Sequence, residues 1–212
     1  MSVPKSVLLY RMVHWKNVQH ILQHGICSRQ HPDMDPKYIN IGHGQLITDR
    51  HEHPIPLPNA GNLGEYVPFY FAGHTPMLYV IMNGYQGIEQ RSQEDIVFLV
   101  STFDKIKKAN LEFVFTNMNA KIALAEFYNN ESDFNKIHWN IVKAKQWAND
   151  ESNLSRRDYK QAEFLVRDHV PISCISSIVV KSDKRKAHFE KMLLQMGLSI
   201  KVLVDKNCNL YY

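Results

Sequence analysis

The stretch SRRDYKQAEFLV, residues 155–166, passes from a charged run through Gln161, Ala162 and Glu163 into the apolar Phe164, Leu165 and Val166. Branched and aromatic residues in this order predict a buried strand, with a carboxylate at its mouth. Two readings of that carboxylate stay open on these residues alone. Glu163 can lie on the wet face of an edge strand, balanced by Lys160 or Arg167, and the local residues favour this. Alternatively the strand is a rigid rod holding a catalytic acid, and the basic and aromatic residues before it form a loop that meets a substrate. Alternation places Gln161 and Glu163 on one strand face, so one side chain can orient a substrate while the other acts on it.

Outward from this strand, further strands are predicted at 6–13, from Tyr66 through Phe71, and at 94–103, 111–116, ISSIVVKSD and SIKVLVD. A helix is expected with Trp15, Val18, Ile21 and Leu22 on one face and Gly25 as stop, and another after Thr75, which caps it with Pro76 at its first position and Gly84 at its end. Others are expected over 119–130, within 138–150, and from a cap at Asp183 to Gly197, where Phe189, Met192, Leu193 and Met196 share one side. Between Cys27 and Tyr66 lies a polar stretch read as structureless, holding five of the nine prolines. A run of that length inside a compact domain is more often functional than idle. Strands that cluster without alternating with helices give the class α+β, and no linker or repeat divides residues 1–212, which read as one domain.

The chain of 212 residues is 44% hydrophobic and 22% charged, the profile of a globular domain with a sizeable core. No window approaches the roughly 18 apolar residues of a membrane span, and MSVPKSVLLYRMVHWKN lacks the small-residue cleavage site of a secretory leader, so the expected location is cytoplasmic. Cys27, Cys174 and Cys208 are scattered and odd in number, which argues against a disulfide framework or a CxxC metal site. The net charge of +4 favours an acidic partner only mildly. Its distribution says more: Lys105, Lys107 and Lys108, then Lys143 and Lys145, then Arg156, Arg157 and Lys160, then Lys181, Lys184, Arg185 and Lys186 form separate clusters that permit nucleic acid.

Eleven histidines invite a metal reading. His51, Glu52 and His53 are too close in sequence to share a helix face, and His20 and His24 lack a third ligand nearby, so no metal is expected. GHGQ at 42–45 and NAGNLG at 59–64 are too short for a P-loop or a dinucleotide fingerprint, and there is no nucleophile elbow. Among acids bordering apolar segments (Glu65, Glu112, Glu126 and Glu163), only Glu163 combines apolar strand neighbours on both sides with a hydrogen-bonding Gln two residues earlier. A desolvated carboxylate there suits an oxocarbenium-like centre and a proton from an incoming nucleophile. Phe69 and Phe71 read as core, Tyr66 and Tyr70 as candidates to line a pocket for a flat ring, and Arg50 as a fork for pyrophosphate.

Taken together, YRMVHWKN (10–17), INIGHGQLITDRHEHPIPLPNAGNLGEYVPFYF (39–71), TPMLYVI (75–81), EDIVFLVS (94–101), FVFTNMNA (113–120), KQAEFLV (160–166) and the closing LYY resemble, in order, the DarT family of DNA-directed ADP-ribosyltransferase toxins. The resemblance implies an ADP-ribosyltransferase-like split mixed sheet with peripheral helices and a NAD cleft. It implies transfer of ADP-ribose from NAD to a base of single-stranded DNA, thymidine first and guanosine as the alternative, and a cognate macrodomain antitoxin that removes the mark. By the same resemblance Glu163 is the catalytic glutamate and Arg50 the active-site arginine. Arg11, His14, Asn17, Arg50, Tyr70 and Met77 are the expected NAD contacts. Asn119, Trp147, Arg156, Arg157, Tyr159, Lys160 and Gln161 are the expected DNA contacts. The chain departs from the common family pattern at FTNMNA, where Asn119 replaces a histidine and Asn117 an aspartate. An amide does not titrate near neutrality, so any acid or base role of that histidine is lost. A catalytically silent nucleic-acid-binding module, or transfer to RNA or protein, are the rival readings; a monomer is expected.

Overall fold

The structure is a computed structural model that describes residues 2–42 and 44–212, leaving out the side chains of residues 45–47. In chain order the elements are β1 (Leu8–His14), α1 (Val18–His24), β2 (Ile26–Cys27), α2 (Gly44–His51), β3 (Tyr66–Tyr70), α3 (Pro76–Asn83), β4 (Ile96–Thr102), α4 (Phe103–Lys108), β5 (Phe113–Thr116), β6 (Phe127–Tyr128), α5 (Trp139–Val142), α6 (Arg156–Lys160), β7 (Glu163–Arg167), β8 (His169–Val170), β9 (Ser177–Val180), α7 (Asp183–Gln195) and β10 (Lys201–Val204). One eight-stranded sheet runs β10-β9-β4-β1-β3-β7-β5-β6, mixed because β10 and β9 are parallel and the other pairs antiparallel.

That sheet is split in the middle. β1 pairs with β4 over seven positions and β3 with β7 over five, yet β1 and β3 share the single pair Tyr10–Tyr70. Pro68 supplies the reason. Its carbonyl faces β1 and accepts a hydrogen bond from Arg11 Nη1 at 3.1 Å. In a strand the N–H lies on the same side as the carbonyl, so the proton that proline lacks is one β1 would have needed. The gap this leaves is the start of the site. The β3-β7-β5 half is anchored by aromatic packing: Phe71, Phe115, Phe134, Trp139 and Phe164 cluster edge-on and stacked against one another.

Local signals hold where they are strong. Thr75 Oγ1 accepts the Leu78 N–H at 3.2 Å, Pro76 opens α3, and Gly84 ends it in the left-handed region. The cap of α7 is Ser182 rather than Asp183, a shift of one residue. The predicted helix over 119–130 does not form: turns lead into β6. Asn117 pins the return of the chain, its amide donating to Glu126 Oε2 at 2.9 Å and its oxygen accepting the Glu126 N–H at 3.0 Å, and these tertiary bonds outweigh helix propensity. The helix within 138–150 stops after one turn, because Lys160 Nζ takes the carbonyls of Val142 and Ala144 that further turns would have used. The stretch read as structureless contains α2, and the loop expected before Glu163 is the short helix α6. Strand β7 begins at Glu163, so Gln161 does not share its face; it caps α6 and donates to the Arg157 carbonyl at 3.2 Å.

Candidate functional site

A cleft of about 300 Å³ opens at the split, walled by Arg11 and Met12 of β1, by Tyr66, Pro68 and Tyr70 of β3, and by Glu163 of β7. Glu163 is 3% exposed and lies in register opposite Tyr70. Its backbone N–H donates to Thr116 Oγ1. Its carboxylate accepts a two-pronged contact from Arg50, Nη1 to Oε1 at 3.0 Å and Nη2 to Oε2 at 2.8 Å, and Oε1 also accepts the Ala120 N–H at 3.1 Å. Three donors from two other segments therefore fix one carboxylate. Burial alone would favour a neutral guanidine, but the Glu163 charge and hydrogen bonds outweigh it and raise Arg50 above its ordinary value. Arg50 therefore keeps its charge in the cleft.

Arg50 reaches Glu163 because α2 packs end-on against the segment before β3. A side chain at Gly64 would meet the His51 carbonyl at 2.7 Å and its Cα at 2.8 Å, so only glycine allows this approach. Tyr70 completes the floor; burial, and then the Glu163 charge, push its phenol up, so it stays a hydrogen-bond donor. Met77 of α3 also lines the cleft. Arg11 Nε is buried and has no partner among the described residues, which leaves a donor poised beside the gap.

The structure thus brings Arg11, Arg50, Tyr70, Met77, Asn119 and Glu163 together. His14 and Asn17 stand back from the cleft. His14 Nδ1 accepts the Lys16 N–H, and burial, then the charge of Arg91, lower it below the usual histidine range. Asn17 acts at one remove: its amide donates to the Ile39 carbonyl and accepts the Ile39 N–H, both at 2.9 Å, which sets the 38–42 segment against the cleft. The expected acceptor residues divide. Asn119 lines the cleft, and its N–H donates to the Asp158 carbonyl of α6 at 3.1 Å. Trp147 is half-buried, its indole N–H on the Tyr212 hydroxyl and its ring against Tyr79. Arg156 is paired with Asp150 at 2.8 Å, and Tyr159 packs on His138 at 4.0 Å. The guanidinium of Arg157 has no hydrogen bond or ion pair among the described residues. Lys160 is a correction: expected to track phosphate, it is 3% exposed, its ammonium on the Val142 and Ala144 carbonyls at 2.6 and 2.7 Å.

Sequence reasoning missed Arg29, Tyr38, His51 and Lys121, which also line the cleft. Lys121 stands two residues from Asn119, close enough for that departure from the family pattern to have drawn notice to it. Among the described residues no three His, Cys, Asp or Glu side chains gather as a metal site, and His43 lies outside them.

A split sheet with a buried, arginine-clamped glutamate at its gap belongs to the ADP-ribosyltransferase class of enzymes. Residues 10–212 match the model of DarT, the ssDNA thymidine ADP-ribosyltransferase. A DNA ADP-ribosyl transferase of Escherichia coli O127:H6 is 34% identical over 199 residues, 94% of this chain and 91% of that one. Another from Thermus aquaticus is 34% identical over 92% of this chain and 84% of its own length. The structure of Thermus sp. 2.9 DarT in complex with ADP-ribosylated ssDNA superposes with a TM-score of 0.89 at 31% identity, covering 100% of this chain and 99% of that one. The same protein in complex with NAD+ gives 0.85 at 31% identity, with both chains fully covered. The chain belongs to the DarT family, and its activity is NAD-dependent ADP-ribosylation of DNA.

Proposed function

We propose that Glu163 and Arg50 are the working pair of this chain in transferring ADP-ribose from NAD to thymidine in single-stranded DNA. One observation carries the reading: Glu163 is buried at the sheet split and held by the Arg50 fork inside the cleft. The bond from ribose C1 to nicotinamide breaks and its electrons leave with the ring. Glu163 stabilises the positive charge that develops on the ribose. The imide nitrogen of the base forms the new bond to C1 and gives up its proton. Glu163 Oε1 already accepts two hydrogen bonds and Oε2 one, so Oε2 is the atom with room for that proton. Arg50 spends two of its five N–H donors on Glu163, and the remaining three serve a phosphate.

A base in a duplex is stacked and paired, which makes the single strand the less costly acceptor. Family membership supports a macrodomain antitoxin as partner and the cytoplasm as the place of action, and residues 1–212 working as one monomeric domain. No helix among the described residues is long and apolar enough to cross a membrane. Positioned proton transfer is typically worth about 100- to 10,000-fold, so Glu163→Gln, which keeps the shape and removes the charge, is expected to cut DNA labelling from labelled NAD by about that factor. Labelling at near wild-type rate by the folded variant removes Glu163 from the mechanism.

A further inference from the structure

The segment Asn119-Ala120-Lys121 drapes across Glu163. Ala120 donates its N–H to the carboxylate, and the side chains on either side of it both line the cleft. Asn119 Oδ1 accepts the Lys121 N–H at 3.0 Å, which commits the amide oxygen and leaves its nitrogen as a donor. Lys121 Nζ donates to the Asp49 carbonyl at 3.3 Å and lies 3.5 Å from His53 Nδ1. An ammonium has three donors and no acceptor, so one N–H remains to serve a ligand. The segment that touches Glu163 therefore brings two hydrogen-bond donors to the same cleft.

We propose that Asn119 and Lys121 form a donor–donor edge that selects an imide base, with Lys121 the discriminating member. The inference rests on the reading that this cleft modifies thymidine. The edge of thymine presents one N–H between two carbonyl oxygens, so a donor on each side satisfies both. Guanine presents its ring N–H between one carbonyl and an amino group, and a donor facing that amino group finds nothing to accept its proton. A lysine cannot turn round to accept, whereas an amide in the same place can. As the imide proton leaves, negative charge spreads to the two carbonyls, and the Lys121 ammonium stabilises it there. His53, lowered by burial and then by the charges of Lys121 and Arg50, stays neutral beside it and does not compete for that charge.

The test is a competition among oligonucleotides of one sequence whose only modifiable base is thymine, uracil, hypoxanthine or guanine, with labelled NAD and wild-type, Lys121→Met or Lys121→Gln protein. Ratios within one reaction do not depend on how much of a variant is folded. Wild type is expected to label thymine and uracil alike, hypoxanthine less because it lacks the second carbonyl, and guanine least. Lys121→Met is expected to lower the thymine-to-guanine ratio by about tenfold or more. Lys121→Gln, which can accept, is expected to raise guanine labelling above that of Lys121→Met. Unchanged ratios in both variants overturn the inference. So does an equal loss on every base with a salt dependence shallower by about one counterion, which marks Lys121 as a phosphate contact. Wild type that labels no strand overturns the thymidine reading and this inference with it; labelled thymine with unaltered ratios overturns this inference alone.

Discussion

The proposed catalytic acid and the residue that most contradicts its sequence context lie three apart. For Glu163 the local residues favoured a wet edge face and only the family phrases pointed to the cleft, where the structure buries the side chain at 3% exposure. Lys160 was not legible: a lysine in a basic run reads as solvated, and only the tertiary structure reveals carbonyls waiting for its ammonium. Burial lowers Lys160 to about 8 from the 10.5 of an ordinary lysine. Between those values the unfolded chain holds a proton that the folded chain has released, so the contribution of Lys160 to stability rises with pH from about 8 to about 10.5. Its penalty is complete below about 8. Urea midpoints of wild type and Lys160→Met at about pH 7, 8.5 and 10 should diverge in favour of wild type as pH rises; a constant difference would sink the idea. Asn17 is the quieter case, since sequence placed it at the ligand and the structure places it behind the wall.

Strands were the best-read elements, because β-branched and aromatic runs bury on both faces and need little help from the rest of the chain. Phe164 in β7 is fully buried and its ring meets Phe71, Phe103, Phe113, Phe115 and Phe134. Phe164→Ala is expected to cost about 3–5 kcal/mol in denaturant unfolding. The helix misread at 119–130, and the early stop of the one within 138–150, have one reason, that side chains from elsewhere claimed the return path or the backbone groups. The placement of α2 also depends on a distant position. Gly64→Ala is expected to push the end of α2 and the Arg50 fork away from Glu163. A displacement near 1 Å is worth about a hundredfold in rate, so labelling should fall steeply while the unfolding transition stays cooperative. Full activity in Gly64→Ala would show that α2 adapts.

At the scale of the molecule, the basic clusters counted along the chain are largely engaged by other groups of the same chain. Lys105 donates to the Ser173 and Ile175 carbonyls, Lys107 pairs with Glu131, Lys145 reaches Asn207 and Lys181 reaches Tyr212. Arg185 lies over the Trp15 ring at 4.1 Å and bonds the Glu94 carbonyl. Arg156 serves Asp150, which leaves Arg157 as the cation of α6 available to a strand. Arg157→Glu is expected to weaken oligonucleotide use on every base equally and to make its salt dependence shallower, read from rates between about 50 and 200 mM salt. Unaltered salt dependence would place the phosphate contact elsewhere.

The sequence by itself determined the α+β class, most of the strands, the caps of α3, and a resemblance that fell on Glu163 and Arg50, because each of these rests on local pattern or on residues in fixed order. Only the tertiary structure decided where the sheet splits, what clamps the glutamate, and which cations face outward. Those depend on Pro68 withholding a proton from β1, on α2 approaching over Gly64, and on carbonyls distant in sequence that capture Lys160. Contacts of that kind have no signature along the chain until folding brings their partners together.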